Sequence, residues 1–176
     1  MRTRLTAFAA ALFLAPLAHA QTSQPPPPTC EAAEHRQLDF WIGEWDAFRS
    51  DTNAQVGRSS VTREEAGCVI HEHWTAANGG VTGQSFNIFE RMSGQWEQYW
   101  VSSNGEITHY IGGPIENGLQ LTAVGDRSAI APGAVFQSRV TLTAQPDGTV
   151  RQVGETSGDG QTWTRRYDIT YRRRPE

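Results

Sequence analysis

The sequence predicts an all-β protein, an antiparallel up-and-down barrel of about ten strands. Short runs rich in Val, Ile, Thr and aromatic residues recur from Phe40 onward. Turn sequences containing Gly, Asn or Asp separate these runs, and their short connections imply antiparallel neighbours in sequence order. Closing so large a sheet removes its two exposed edges. A two-sheet sandwich is the alternative, although it usually needs longer crossover connections.

The elements follow in order along the chain. Residues 31–38 predict a short N-terminal helical turn, after which no helical periodicity persists for two turns. The predicted strands cover residues 40–49, 55–66, 68–76, 82–91, 95–103, 106–113, 118–125, 134–145, 149–157 and 161–173. Residues 126–133 form the longest segment between two predicted strands and are therefore expected to form the largest loop.

The N-terminus has the features of a signal peptide. Arg2 and Arg4 precede an apolar run over 7–17, and the Ala18-His19-Ala20 sequence suits cleavage after Ala20. The apolar run is too short to span a bilayer comfortably. Residues 21–28 form a Pro-rich spacer, so one β-barrel domain is expected over 29–176. We therefore expect an exported, periplasmic protein without membrane insertion.

Charge and cysteine content narrow the classes further. All 15 basic residues are Arg, and removing Arg2 and Arg4 leaves 13 against 19 acidic residues, a net charge of 13 − 19 = −6. This balance disfavours general nucleic-acid binding. The two cysteines, Cys30 and Cys68, suggest a disulfide in an oxidising compartment, with one buried and one exposed free thiol as the alternative.

Alternation within the strands nominates inward-facing side chains. Aromatic and polar residues share the same strand faces, a composition typical of a small-molecule cavity or of a filled barrel with a satisfied polar network. On the last strand, one face carries Trp163, Arg165, Tyr167, Ile169 and Tyr171. The candidate ligand-binding residues are Trp45, Glu72, Trp74, Ser85, Asn87, Trp96, Gln98, Trp100 and Tyr110.

The His71-Glu72-His73 sequence is the most chemically suggestive local motif. On a strand, His71 and His73 project to the same side, but no third ligand is nominated, so we expect both to face solvent and predict no metal site. A carboxylate such as Glu72 among aromatic residues has a raised pKa unless it is paired. It could act as a general acid or base, bind a donor group of a ligand, or pair with Arg139 or Arg165.

Several segments resemble a family of exported bacterial proteins of unknown function. The segments are 38–46 (LDFWIGEWD), 67–74 (GCVIHEHW), 83–87 (GQSFN), 94–101 (GQWEQYWV) and 157–163 (SGDGQTW). The resemblance covers essentially everything after the spacer. It implies a lipocalin-like (calycin) barrel that is distantly similar to nitrobindin, and it says little about activity because fold does not fix function.

Nitrobindin suggests ferric haem held by a His on the last strand. Aligning the ending Tyr171 to Arg173 places Arg166 at that ligand position, and a protonated guanidinium cannot ligate iron. The Gly-Thr-Trp signature is also altered here, to Gly43-Glu44-Trp45. We therefore expect no haem bound in this way and no other cofactor, although His109 beside Tyr110 could replace the missing ligand.

Three functions remain compatible with the sequence. The first is an exported barrel that binds a small amphipathic or aromatic molecule in an aromatic-lined interior. The second is an isomerase- or hydrolase-type enzyme that uses Glu72 as general acid or base, although no nucleophile elbow, phosphate loop or Cys-x-x-Cys motif is present. The third is an envelope structural or interaction module with a filled barrel. The sequence favours binding over catalysis.

Overall fold

The chain folds into a closed antiparallel barrel of ten strands in which each strand pairs with its sequence neighbours. The computed structural model describes residues 29–123 and 137–175. The strands are β1 Gly43–Arg49, β2 Gln55–Glu64, β3 Val69–Ala76, β4 Thr82–Glu90, β5 Gln95–Ser102, β6 Ile107–Ile115, β7 Gly118–Ala123, β8 Gln137–Ala144, β9 Val150–Ser157 and β10 Thr164–Arg173. Pairing of β1 with β10 closes the barrel and confirms the predicted fold class over the sandwich.

Several strand ends differ from the sequence prediction; β2, for example, ends at Glu64 rather than residue 66 because Glu65–Gly67 forms a 3₁₀ turn. The first strand begins at Gly43 rather than residue 40, because Asp39–Trp41 forms a 3₁₀ turn. The last strand begins at Thr164 rather than residue 161. Strand β6 continues to Ile115, two residues beyond the predicted end. The predicted signal peptide (1–20), the spacer (21–28) and the loop over 126–133 lie outside the described residues.

The N-terminal segment packs across the end of the barrel where β1 begins. It contains the 3₁₀ turns Ala33–Arg36 and Asp39–Trp41. Leu38 and Trp41 are fully buried in the main apolar core, together with Trp45 and Trp96. We call this end of the barrel the helical end. Burial of these large side chains provides much of the apolar stabilisation of the fold.

A disulfide and an arginine attach this segment to the barrel. Cys30 and Cys68 are joined, which confirms the predicted bond and closes a loop of 38 residues. Arg63, at the end of β2, forms an ion pair with Asp39. Its guanidinium also donates to the carbonyl of Gly67 at 2.7 Å, and burial lowers the pKa of Arg63. No helix in the described residues is long and apolar enough to cross a membrane.

Candidate ligand-binding cavity

The barrel interior holds a cavity of about 280 Å³. It extends from the middle of the barrel to Glu106, an exposed residue in the turn between β5 and β6. Twelve residues line it: Glu72, Trp74, Gln98, Trp100, Glu106, Thr108, Tyr110, Val140, Gln152, Tyr167, Ile169 and Tyr171. The volume lies just below the roughly 300–1,000 Å³ of pockets for drug-sized ligands, so the cavity suits a smaller molecule.

Strand alternation and register bring these side chains together. Glu72 and Trp74 lie two residues apart on β3 and therefore point to the same side. On the neighbouring pair β5 and β6, Gln98 is opposite Tyr110 and Trp100 is opposite Thr108. These inward positions carry polar and aromatic groups in alternation. The cavity wall consequently offers both hydrogen-bonding atoms and flat apolar surfaces.

Glycines on neighbouring strands allow the aromatic rings to lie against the wall. A β-carbon added at Gly83 would overlap the indole ring of Trp100, and one added at Gly57 would overlap that of Trp74. A β-carbon at Gly154 would likewise overlap the ring of Tyr167. These three positions lack the side chain that would push each ring toward the barrel axis. The glycines therefore contribute to keeping the interior open.

Glu72 lies at one side of the cavity and is 3% exposed. The Ser59 hydroxyl donates to its Oε1 at 2.6 Å, and the Ser85 hydroxyl donates to its Oε2 at 3.0 Å. Tyr171 is a further hydrogen-bonding neighbour of this carboxyl. The Tyr171 hydroxyl also lies 2.8 Å from Oε1 of Gln152. Hydroxyl groups, rather than basic side chains, thus surround the carboxyl.

A chain of buried amides supports Ser85 from behind. The Asn87 amide donates to the Ser85 hydroxyl at 3.1 Å and to the carbonyl of Ile70 at 3.0 Å. The Gln98 amide donates to Oδ1 of Asn87 at 2.7 Å. The network runs across β3, β4 and β5, and satisfied networks of this kind fix the orientations of their members.

Burial governs the electrostatics of the two central acids. Loss of solvation raises the pKa of Glu72, while the hydrogen bonds from Ser59, Ser85 and Tyr171 act in the opposite direction. Burial also raises the pKa of Tyr171, and the neighbouring Glu72 raises it further. Tyr171 therefore stays protonated and remains a hydrogen-bond donor at neutral pH.

Neither arginine proposed as a partner of Glu72 contacts it. Arg139 pairs with Glu155 at 2.7 Å, and Arg165 pairs with Asp168 at 3.0 Å. Arg165 was predicted to face inward with Tyr167, but a register shift between these two residues breaks the alternation of β10. Within the described parts of the chain, Glu72 has no ion-pair partner. That arrangement differs from the usual pairing of buried charges.

The nine predicted site residues separate into three groups. Five line the cavity, namely Glu72, Trp74, Gln98, Trp100 and Tyr110. Ser85 and Asn87 are fully buried behind the cavity wall and hold Glu72 and Gln98. Trp45 and Trp96 lie in the apolar core, where their indole nitrogens donate to the Trp41 carbonyl and to Gln37, each at 2.8 Å.

The structure adds seven lining residues that the prediction did not nominate: Glu106, Thr108, Val140, Gln152, Tyr167, Ile169 and Tyr171. Alternation along β6 and β10 could have indicated some of these residues, since alternate residues of a strand share a face. The opposite side of the barrel, with Val140 and Gln152, could be assigned only once the register across β7, β8 and β9 was known.

The His71 and His73 side chains lie on the outer face of β3, on the opposite side from Glu72. Their rings are 4.3 Å apart. His71 is only 7% exposed, so the expectation that both face solvent is wrong for this residue. It stacks on Phe86 at 4.4 Å and hydrogen-bonds Gln84 at 2.9 Å. No group of three potential metal ligands occurs among the described residues.

The residues considered for haem lie away from the cavity wall. Arg166 is exposed and lies at the register shift in β10. His109 binds Glu97 at 2.9 Å and stacks on Tyr99 at 4.2 Å. The described part of the cavity lining contains no His, Cys or Met. It therefore does not fit a haem whose iron is ligated by His.

Neither a scan against models of known protein families nor a search of curated proteins gave a match to this chain.

Proposed function

We propose that this protein binds a small amphipathic or aromatic molecule inside its barrel, as a calycin-type carrier or sensor. One observation carries the proposal: aromatic rings wall an internal cavity that also presents the polar groups of Glu72, Gln98 and Gln152. A few polar groups converging in a largely apolar concave site are typical of ligand pockets. The aromatic walls would bind the body of the ligand, and the polar groups would orient it.

We also propose that the protein is exported to the periplasm after cleavage behind Ala20. The disulfide between Cys30 and Cys68 supports this location, because such bonds persist mainly in oxidising compartments. The resemblance to exported proteins supports it as well. The small-molecule ligand would then be drawn from outside the cytoplasm.

The binding test uses phenethyl alcohol, a neutral single-ring probe, with isothermal titration calorimetry. Trp74 and Trp100 line the cavity, so tryptophan fluorescence reports occupancy independently. We expect saturable binding to the unmodified protein and loss of binding in Thr108→Trp, which fills the cavity. Ile107→Trp is the matched control, because the adjacent Ile107 is 74% exposed.

Native mass spectrometry of protein purified from the producing cells provides a second test. A co-purified small molecule that disappears in Thr108→Trp supports the proposal. If nothing co-purifies and no probe binds, the proposal is rejected in favour of a structural module with an unused interior.

Acid–base catalysis at Glu72 is the second candidate function. It is favoured by one observation, namely that a buried carboxyl with a raised pKa lines the cavity. Incubation of the protein with a co-purified ligand, followed by mass spectrometry, should then show conversion that is lost in Glu72→Gln. An unchanged ligand would leave binding as the function.

A further inference from the structure

Among the described residues, the charged groups that line the cavity are all acidic. They are Glu72 inside the barrel and Glu106 at the rim, and no Arg or His occurs among the described residues that line it. The chain has no Lys. Positive charge in the described residues lies elsewhere: Arg139, for example, pairs with Glu155 and stacks on the ring of Trp163. The interior therefore disfavours an anionic ligand and attracts a cationic one.

Glu72 retains hydrogen-bonding capacity toward the cavity. An ionised carboxylate offers about four acceptor positions. Ser59 and Ser85 occupy two of them, one on each oxygen, and Tyr171 is placed at a third. The single proton of the Tyr171 hydroxyl is also directed at Gln152. At least one acceptor position thus remains for a donor that enters the cavity.

The aromatic walls complement a positive charge in a second way. Trp74 and Trp100 line the cavity from neighbouring sides, each lying against a glycine. The face of an aromatic ring is the negative side of its quadrupole and attracts cations, with Trp the strongest of the aromatic residues. A ligand that combines an apolar body with a cationic nitrogen matches both the walls and the carboxylate.

We infer that the cavity selects a small organic ammonium ion with an apolar or aromatic body, whose N–H group donates to Glu72. This inference deepens the proposed binding function and rests on it. Gln98, Gln152 and Thr108 provide neutral polar groups around the same space. Glu106 at the rim attracts the cation during entry, while Glu72 binds it. The desolvated position of Glu72 strengthens this charged hydrogen bond.

Three probes with the same ring and a similar chain length test the inference: phenethylamine, phenethyl alcohol and hydrocinnamate. Calorimetry on the unmodified protein at neutral pH should give affinity for phenethylamine about tenfold above that for the alcohol. Hydrocinnamate should bind most weakly. Equal affinities, or a preference for the acid, would overturn the charge selection while leaving the proposed binding function intact. Failure of all three probes to bind would instead reject the binding function itself.

The Glu72→Gln variant locates the charge recognition. We expect it to lower phenethylamine affinity about tenfold and phenethyl alcohol affinity by much less, because the neutral alcohol cannot form a charge-assisted pair with the carboxylate. Glu97→Gln is the matched control, because Glu97 contacts His109 and Tyr99 on the outer face of β5. An unchanged preference for the amine in Glu72→Gln would assign recognition to another group. The comparison of probes on the unmodified protein holds even if this variant folds poorly.

Discussion

The hydroxyl of Ser59 donates a 2.6 Å hydrogen bond to the carboxyl of Glu72, and both side chains are at least 97% buried. The two residues lie on the neighbouring strands β2 and β3 and face the barrel interior. A buried acid surrounded by hydroxyls keeps its orientation without a cationic partner. Because such an acid is costly to ionise, its protonation state links stability and ligand binding to pH.

The stability of the protein should depend on the titration of Glu72. Burial raises the pKa of Glu72 in the folded state. The contribution of Glu72 to the free energy of unfolding is therefore fully present below the ordinary glutamate pKa. It is lost as pH rises through the folded-state pKa. Relative to wild type, Glu72→Gln should become more stable as pH rises over this interval. Urea denaturation at a series of pH values measures the difference.

Glu90→Gln provides a control of opposite sign. The backbone amides of Met92 and Ser93 donate to Glu90 and lower its pKa. The contribution of Glu90 to stability is present above the ordinary glutamate pKa and is lost as pH falls. The Glu90→Gln variant should therefore become less stable relative to wild type as pH rises. A difference between wild type and Glu72→Gln that stays constant with pH would contradict the assignment.

Phenethylamine binding should strengthen as pH rises through the Glu72 titration, as long as the amine itself remains protonated. The cation binds the ionised carboxylate, so the proton on Glu72 competes with it. Ser59, Ser85 and Tyr171 contact the carboxyl, and Tyr171 stays protonated because its own pKa is raised. Across the cavity, Glu106 is the other carboxylate among the described lining residues. Phenethyl alcohol affinity should change much less with pH, because the alcohol carries no charge. Parallel pH profiles for the two probes would count against Glu72 as the binding group.

Gly83→Ala should destabilise the barrel and narrow its cavity. The new β-carbon would overlap the ring of Trp100, which must move toward the barrel axis. We expect a loss of about 1–3 kcal/mol in the free energy of unfolding, the usual cost of overpacking. Probe affinity should fall as well. Gly113→Ala is the matched control, since a β-carbon there meets no atom within 4 Å. Equal stabilities of the two variants would refute the role assigned to Gly83.

Removing the disulfide should cost much of the stability of the fold. A bond closing 38 residues restricts the unfolded chain by about 3–4 kcal/mol in the loop-entropy estimate. The double substitution of Cys30 and Cys68 by Ser should lower the free energy of unfolding by that amount, measured in urea. Reducing agent should destabilise wild type similarly and leave the double variant unaffected. A loss below about 1 kcal/mol would show that the loop is already ordered when unfolded.

Arg63→Leu should loosen the helical end of the barrel. The Arg63 guanidinium contacts Asp39 and the carbonyl of Gly67, and it lies near the carbonyl of His35. Asp39 would keep its ion pair with Arg36, but leaving the two carbonyls without this donor should cost about 1–3 kcal/mol in the free energy of unfolding. Arg91→Leu, an exposed substitution in the turn after β4, should change stability by less than about 0.5 kcal/mol. Comparing the denaturation midpoints of the two variants tests whether Arg63 stabilises the helical end.

The residue pattern by itself determined the architecture. Turn sequences such as Asn117-Gly118 set the hairpins, and the two-residue period set which side chains share a face. Glu72, Gln98 and Trp100 could therefore be assigned to the interior before any contact was known. The cysteine pairing followed from there being two cysteines in a chain expected to be exported. Local periodicity is a property of neighbouring residues, so it can be read from sequence.

Only the tertiary structure decided which interior residues line a cavity and which fill the core. Trp45 and Trp96 share the inward alternation of Trp100, yet the N-terminal segment packs on them at the helical end. The glycines beneath Trp74 and Trp100 come from neighbouring strands, and the hydroxyls around Glu72 come from β2, β4 and β10. These relationships depend on register and on barrel closure, which join residues far apart in the chain. Periodicity places a side chain inside the barrel, but the residue on the neighbouring strand decides whether space remains beside that side chain.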